Sequence, residues 1–449
     1  MKSALKNYSK IMTALLLATM IVSSLLAAEA PANALATLSQ KEFEVQALRV
    51  LASPALQEQR KAVEQAFRAE PAPQTPEALA DLPRAVDEVV FSGVVGVLNA
   101  DSTNPRVQWL WSPPHSWFGL DVPAAKFLMP NVDNVFRVIP VDGVSHFKIN
   151  ARPSGPHLPT QFTIQLVSAL PGDAGWEKVL SVLIDTDIQT KPDGSFTLAV
   201  GPDATNGRAN YIQTVPAAHF LLIRDTIANW GTETPYHLDV RRLEGTAAAA
   251  PITDSILAQR AAALIQNELP QIARSKASWF FHQPANTVAP PFVREGGRWG
   301  ISAGGHFQLK DDEALVLTVD SLGAKYVAVQ LANSWLGSLD YIHHPASLNI
   351  AQSTENHDGS YTFVIAAQDP GVRNWLDTTG LHEGSIFIRW QKLPQPLNPA
   401  GNAVREAKVV KLSDLANALP SSVRKVTPKE RKKLLAERTV AYEKRFSEQ

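Results

Sequence analysis

Hydrophobic and polar positions change their rhythm several times along the chain. From Gln40 to Arg68, the positions Phe43, Ala47, Leu51, Leu56, Val63 and Phe67 form an apolar stripe close to the period of a helix, and the proline-rich stretch "AEPAPQTPEALADLP" then breaks it. From Val89 the texture turns to short β-branched and aromatic runs separated by Pro, Gly, Asp and Asn: "VVFSGVVGVLNA", "RVQWLW", "VFRVIPVDGVSHFKIN", "TQFTIQLVSAL", "GSFTLAV", "AHFLLIRDTI" and "YHLDVRRL". These patterns predict strands. "GTAAAAPIT" reads as a linker, followed by a helix over about Ser255 to Leu269 with Asp254 as N-cap and Pro270 at its end. A second strand-rich stretch runs through "HFQLK", "EALVLTVD", "KYVAVQLANSW", "YTFVIAA" and "SIFIRWQ". The last fifty residues are expected to be helical, with a capping box of Thr427, Pro428 and Glu430 opening "VTPKERKKLLAERTVAYEKRF".

Two of these stretches repeat each other. "DGSFTLAV" at Asp193 matches "DGSYTFVI" at Asp358, Asp203 matches Asp369, Asn210-Tyr211-Ile212-Gln213-Thr214 matches Asn374-Trp375-Leu376-Asp377-Thr378, and Arg224 matches Arg389. The two spans are equal in length, with slips of one or two residues in the loops between that cancel by the final Arg. Upstream, the segment from Asp133 has a looser partner in the segment from Asp312. The expected fold is therefore mainly β with flanking helices, as two tandem β-sandwich (jelly-roll-like) domains from an internal duplication. The divisions expected are a signal peptide at 1–34, a helical segment at 35–87 and a first sandwich at 88–245. A linker and helix at 246–280, a second sandwich at 281–395 and a basic helical tail at 396–449 complete the chain.

Composition narrows the possible roles. The 449 residues are 45% hydrophobic and 19% charged, the balance of a globular chain too long for one core. A net charge of -1 argues against a nucleic-acid binder, which needs clustered excess Lys and Arg. Residues 401–449 carry +6 and the remainder -7, so the basic character is confined to the tail. At the N-terminus, Lys2, Lys6 and Lys10 precede an uncharged apolar run from Ile11 to Ala28, followed by small-residue patterns at Ala28-Glu29-Ala30 and Ala32-Asn33-Ala34. This is the layout of a secretory signal, with an uncleaved anchor as the competing reading. Without cysteine there is no lipoprotein acylation, disulfide, thiolate metal site or Cys nucleophile. The implied location is periplasmic or secreted, with no stable membrane insertion once the signal is cleaved.

The duplication divides the candidate residues. Positions shared by both copies read first as scaffolding: an Asp-Gly hairpin turn, an Asn that caps a turn, an aromatic that fills the core and an Arg that ends the last strand. Function is expected where the copies differ. The second copy adds Asp377, His382 and Glu383 ahead of "SIFIRW", whose alternation puts Phe387 and Arg389 on one face and Ile386, Ile388 and Trp390 on the other. Asp377, His382 and Arg389 are the candidate acid, base and anion anchor of a hydrolase or lyase. "LDYIHHPASLN" adds Asp340, Tyr341, His343, His344 and Asn349, and the adjacent histidines point apart in an extended chain, so they do not chelate together.

In the first copy, "WLWSPPHSWFGLD" concentrates Trp109, Trp111, His115, Trp117 and Phe118, either a stacking platform for a glycan or apolar ligand or a plug between domains. Asn374 and Trp375 join these as ligand-binding candidates. Asp185 and Asp187 share a face if their segment is extended, compatible with a carboxylate pair or calcium ligands. No cofactor or metal is implied, and the nucleophile-elbow, zincin, P-loop and dinucleotide motifs have no counterpart.

The run "DGSYTFVIAAQDPGVRNWLDTTGLHEGSIFIRWQ", with "DEALVLTVDSLGAKYVAVQLANSWLGSLDY" before it, resembles a bacterial family, domain of unknown function 1214. The likeness covers roughly residues 300 to 395 and extends more weakly to the first copy. It implies a β-sandwich protein of the cell envelope and no established activity. The family series ends Asn-Trp-Leu-Pro, whereas Asp377 stands in the proline's place here. Three functions follow as expectations. One is a binding or accessory protein holding a small molecule or glycan at the aromatic loop or the inter-domain cleft. The others are the hydrolase or lyase, and a structural protein docking an envelope partner through its tail.

Overall fold

The computed structural model of the chain describes residues 33–69, 75–169, 178–245, 252–267, 277–294, 296–394 and 403–448. Most of the signal segment and the "GTAAAAPIT" linker lie outside the described residues. The first expected helix is two, α1 (Leu38–Leu51) and α2 (Pro54–Arg68), because Pro54 cannot extend α1 and instead starts α2 from Ser53. A third helix, α3 (Pro76–Leu98), begins at the Thr75 cap and runs on through "VVFSGVVGVL", which had been expected to form a strand. Val89, Val90, Phe91, Val94 and Val95 are all buried, so this is a helix enclosed on every side, whose unbroken apolar run hides its period.

Eleven strands follow: β1 (Gln108–Leu110), β2 (His115–Trp117), β3 (Leu120–Val122), β4 (Asn134–Pro140), β5 (His146–Arg152), β6 (Gln161–Val167), β7 (Val179–Ile184), β8 (Phe196–Gly201), β9 (Tyr211–Gln213), β10 (Phe220–Thr226) and β11 (His237–Glu244). Helix α4 (Asp254–Asn267) then returns to pack with α1, α2 and α3. It is capped by Thr253, whose Oγ1 accepts from Ile256 N at 3.4 Å, while Asp254 pairs with Arg49 at 2.8 Å instead. The place expected for its end, at Pro270, is outside the described residues. The second set is β12 (Thr287–Val288), β13 (Phe292–Val293), β14 (Gly300–Gln308), β15 (Glu313–Asp320), β16 (Tyr326–Ala332), β17 (Ser347–Asn349), β18 (Ser360–Ala366), β19 (Trp375–Asp377), β20 (Glu383–Gln391) and β21 (Val404–Lys411). The chain closes with α5 (Leu415–Ala418) and α6 (Pro428–Glu443), the latter opened by the expected capping box.

The sheets record the duplication. One sheet of the first unit has the order β1-β4-β10-β6-β7 and the other β11-β5-β8-β9; the second unit has β12-β14-β20-β16-β17 and β19-β18-β15-β21. Shifting each strand from β4 to β11 by ten reproduces the second pattern, including the parallel pairs β8–β9 and β18–β19. Each unit closes around its own core, Ile149, Ile164, Leu198 and Ile223 in one, Leu317, Val329, Phe363 and Ile388 in the other. The fold is mainly β with flanking helices. Two details differ from expectation. The segment from Asp133 forms β4, whose counterpart is β14, so the partner of the Asp312 segment is β5. The region after residue 396 is not wholly helical, since β21 pairs with β15 and completes the second sandwich.

Shared positions have shared local roles. Ser195 N and Ser360 N donate to Asp193 and Asp358 at 2.9 and 3.1 Å, across turns where Gly194 and Gly359 take φ of 78° and 81°, a region that suits glycine. Asn210 brackets Gln189, and Asn374 brackets Thr354, each through its carboxamide at 2.7–2.8 Å. Tyr211 Oη donates to Gly201 O at 2.8 Å and Trp375 Nε1 to the equivalent Ala366 O at 2.9 Å.

Candidate functional site

The expected catalytic group is not assembled. Asp377 is buried at the end of β19, where its carboxylate accepts from Thr379 N at 2.8 Å and contacts His344 Nδ1 at 2.8 Å. His382 instead lies between Glu77 at the start of α3 and Asp311, at 2.6 and 2.8 Å, and these two hydrogen bonds raise its pKa. Arg389 sits in mid-strand on the outer face of β20 with neither of them. Three separate networks therefore hold Asp377, His382 and Arg389. Asp185 and Asp187 form a 3-10 turn rather than a strand and pair individually with Lys392 and Arg298, at 2.7 and 2.9 Å. Among the described residues no three His, Asp or Glu side chains are grouped to hold a metal.

The aromatic loop is mostly a plug. His115 stacks on Phe446 with centroids 5.0 Å apart, Trp109 packs against both His115 and Phe446, and Trp117 donates its indole N–H to Glu44 of α1. Trp109, His115 and Trp117 are buried, so the open stacking platform is corrected to a junction between α1, this loop and the C-terminus; Trp111 and Phe118 are half-buried. Trp109 also borders a cavity of about 260 Å³ with Arg137, Gln40 and Leu238. The charge of Arg137 is already met there by the Asp225 carboxylate. Asn374 and Trp375 are likewise buried scaffolding rather than ligand contacts, with Arg431 of α6 lying 5.0 Å over the Trp375 ring.

What remains is the seam where the two repeats meet. On β10, Leu221 and Ile223 point into the first core, which leaves Arg224 and Thr226 outside; on β20, Ile386, Ile388 and Trp390 point inward and leave Phe387, Arg389 and Gln391 outside. These outer faces are turned towards each other. Thr226 Oγ1 meets Gln391 Oε1 at 3.3 Å, Gln161 Nε2 donates to Trp299 O at 3.2 Å, and Tyr326 Oη donates to Asp133 Oδ2 at 2.6 Å. Asp133 is fully enclosed and also accepts from Asn349 Nδ2 at 3.0 Å and Trp230 Nε1 at 2.7 Å.

At the centre stands Arg389, 5% exposed. Its Nη1 donates to Gln330 Oε1 at 2.8 Å and its Nη2 to Met129 O at 2.7 Å, with Phe387 4.2 Å beneath it. The first repeat carries the same pair, Arg224 donating to Gln165 Oε1. Between the two arginines runs an alternating ladder. Arg224 lies 4.9 Å from the Trp299 ring, Arg294 lies 4.8 Å from that ring and 5.8 Å from Phe387, and Arg389 follows. Burial, joined by the charge of Arg294, pulls the Arg389 pKa down to about 9 against the opposing pull of Tyr326 and Asp133.

Two further signs of tension accompany it. Leu128 and Met129, which present the carbonyl to Arg389, have φ of 66° and 50°, and Leu336, whose carbonyl holds Met129 N at 3.0 Å, has φ of 62°. Branched or bulky residues take such values at a cost of order 1–3 kcal/mol each, a cost found mostly at functional sites. On β6, Gln161 Oε1 and Thr163 Oγ1 are buried without a partner. Both are on the outer face, and Thr163 is directly opposite Arg224 in the ladder. Sequence reasoning named Arg389 but missed Gln165 and Gln330, which a longer alignment would have matched, since they have the same spacing as Arg224 and Arg389. Met129, Arg294 and Trp299 come from connecting segments and carry no such signal.

No family model matches the chain. No curated protein matches it in sequence. Among solved structures, the chain is similar to an uncharacterised protein from Burkholderia cenocepacia, with 26% identity and a TM-score of 0.67 over 82% of this chain and 99% of that one. A protein from Vibrio parahaemolyticus matches at 11% identity and a TM-score of 0.39, over 63% of this chain and 90% of that one. Among the described residues no helix is long and apolar enough to cross a membrane.

Proposed function

We propose that this is an exported envelope protein of the binding or accessory kind, related to domain of unknown function 1214, whose ligand lies in the seam between its two repeats. The observation that carries this reading is Arg389, a guanidinium buried by both repeats and contacted only by neutral acceptors. Burying an ion costs several kcal/mol after relaxation, and two hydrogen bonds and a stacked ring offset it in part. Folding alone gains little from such an arrangement, because an apolar residue of similar volume fills the space as well. Native mass spectrometry of the protein purified gently from periplasm tests the reading: an adduct of defined mass supports it, and a clean apo mass counts against a resident ligand.

Export carries its own test. Asn33 Nδ2 donates to Arg445 O and Ser447 O at 2.9 and 2.7 Å, and Ala34 and Leu35 are buried, so residues 33 and 34 belong to the folded protein. This favours cleavage before Asn33 over cleavage after Ala34, and an intact mass that retains Asn33 and Ala34 is expected. A hydrolase or lyase reading would now rest on the Asp377–His344 pair, with His344 half exposed. Loss of turnover of any substrate in both Asp377→Asn and His344→Gln, with the fold intact, would support it.

A further inference from the structure

Given the seam as the ligand site, we infer that the ligand carries an oxyanion, a carboxylate or phosphate-type group, bound by the part of the Arg389 guanidinium that the protein leaves unused. A guanidinium has five N–H donors. Gln330 and Met129 take one on each terminal nitrogen, so Nε and one N–H on each side have no acceptor among the described residues. Fork-like donation from a guanidinium is matched by carboxylate and phosphate oxygens better than by neutral acceptors.

Three other arginines set the contrast. Arg137 holds Asp225, and Arg431 holds Asp369 at 2.9 Å. Arg438 has no ion pair but donates from all three nitrogens, to Tyr341 O at 2.6 Å, Ser347 O at 2.8 Å and Gln352 Oε1 at 3.3 Å. Arg137 Nε also lacks an acceptor, but its guanidinium is neutralised by Asp225; Arg389 has no ion pair, an idle Nε and a second guanidinium close enough to repel it, that of Arg294 beyond the Phe387 ring. The Arg294 charge disfavours the Arg389 cation, the Asp133 carboxylate favours it without touching it, and an anion placed on the idle donors would favour it further. On β6, which meets the second repeat at Trp299, the Thr163 hydroxyl and the Gln161 Oε1, in residues each about 1% exposed, have no partner and are the neutral polar groups that the polar part of a ligand would complete. The strained Leu128–Met129 turn keeps the carbonyl on Arg389 fixed, so the open side of the guanidinium is held in one direction.

The test is thermal unfolding of the full mature chain in sodium phosphate and in sodium succinate, each against sodium chloride at equal ionic strength. The expected result is a rise in Tm with one of these anions, saturable and about 3 °C or more, that chloride does not give. Gln330→Glu supplies the second arm, since it puts a carboxylate where the amide oxygen now sits 2.8 Å from Arg389. Because the change also gives up the donations from Gln330 Nε2 to Pro130 O and Ser338 Oγ, this variant is expected to fold with a Tm no higher than that of the wild type, and to lose the anion response. An anion response unchanged in Gln330→Glu places the anion elsewhere and overturns the inference. No response beyond chloride in the wild type also overturns it, and if native mass spectrometry still finds a neutral adduct, the seam reading survives without the oxyanion.

Discussion

The two repeats share a plan yet differ in what completes them. In the first, the aromatic at the start of β9 is covered from within its own loop, Arg208 lying 3.8 Å over the Tyr211 ring. In the second, the equivalent Trp375 is covered by Arg431, more than fifty residues away on α6. That helix places Arg431, Arg438 and, just beyond its end, Arg445 at heptad spacing. Their partners are Asp369 and Val372 O, then Tyr341 O and Ser347 O, then Val132 O. The basic tail, expected from the sequence as a helix that docks a partner, therefore places these three arginines inside the molecule. Duplication supplied the scaffold, and later segments specialised the second copy.

The largest effect expected from this contrast is on the tail. Removing residues 428–448 strips the cover from Trp375 and takes away the buried Tyr442, a residue type whose truncation alone costs about 3–5 kcal/mol. We expect a loss of at least about 5 kcal/mol in urea unfolding, a large share of typical domain stability. A truncated chain with unchanged stability would restore the docking-arm reading.

Next come the bracketing asparagines. Asn374 makes three hydrogen bonds in a buried site, to Thr354 N, Thr354 O and Thr362 O, whereas Asn210 makes two near the surface. At about 1 kcal/mol for each bond, more where a buried partner is stranded, Asn374→Ala is expected to cost about 3 kcal/mol and Asn210→Ala about 1–2 kcal/mol. Equal costs would mean that the second copy is no more dependent on its buried network than the first.

Asp377→Asn is expected to be milder, below about 1 kcal/mol, because the amide oxygen still accepts from Thr379 N and the amide NH2, in place of the second oxygen, can donate to His344 Nδ1 in its unprotonated form. Smallest is the link from α3 to the second repeat. The pKa of His382 is raised by Glu77 and Asp311, so its contribution to stability is fully present below the ordinary histidine pKa of about 6.5 and is lost as pH rises through the higher folded value. Wild type minus His382→Gln should thus show a Tm advantage near pH 6 that fades by pH 8; an advantage that grows with pH would contradict the imidazolium bridge.

The repeat was legible in the sequence because its markers are local: Asp-Gly-Ser turns, an Asn before an aromatic, and an Arg at fixed distance. So was the two-faced alternation of β20, with Arg389 set apart from Ile388 and Trp390. The buried half of α3 was not, since "VVFSGVVGVL" is apolar on every side and periodicity cannot separate an enclosed helix from a strand. Strand β21 was hidden by its composition: "VREAKVVK" covers an edge and keeps its charges in solvent. The partners of Asp377, His382 and Arg389 were out of reach for another reason. Glu77, Asp311, His344 and Met129 come from four separate segments, and only the packed chain brings them together.

The most direct measurement is native mass spectrometry on three proteins purified gently in parallel: wild type, Asp377→Asn and Gln330→Glu. The account predicts one adduct of defined mass on the wild type, the same adduct on Asp377→Asn, and none on Gln330→Glu. An adduct lost with Asp377→Asn but kept in Gln330→Glu would move the site to the loops of the second repeat and contradict the seam.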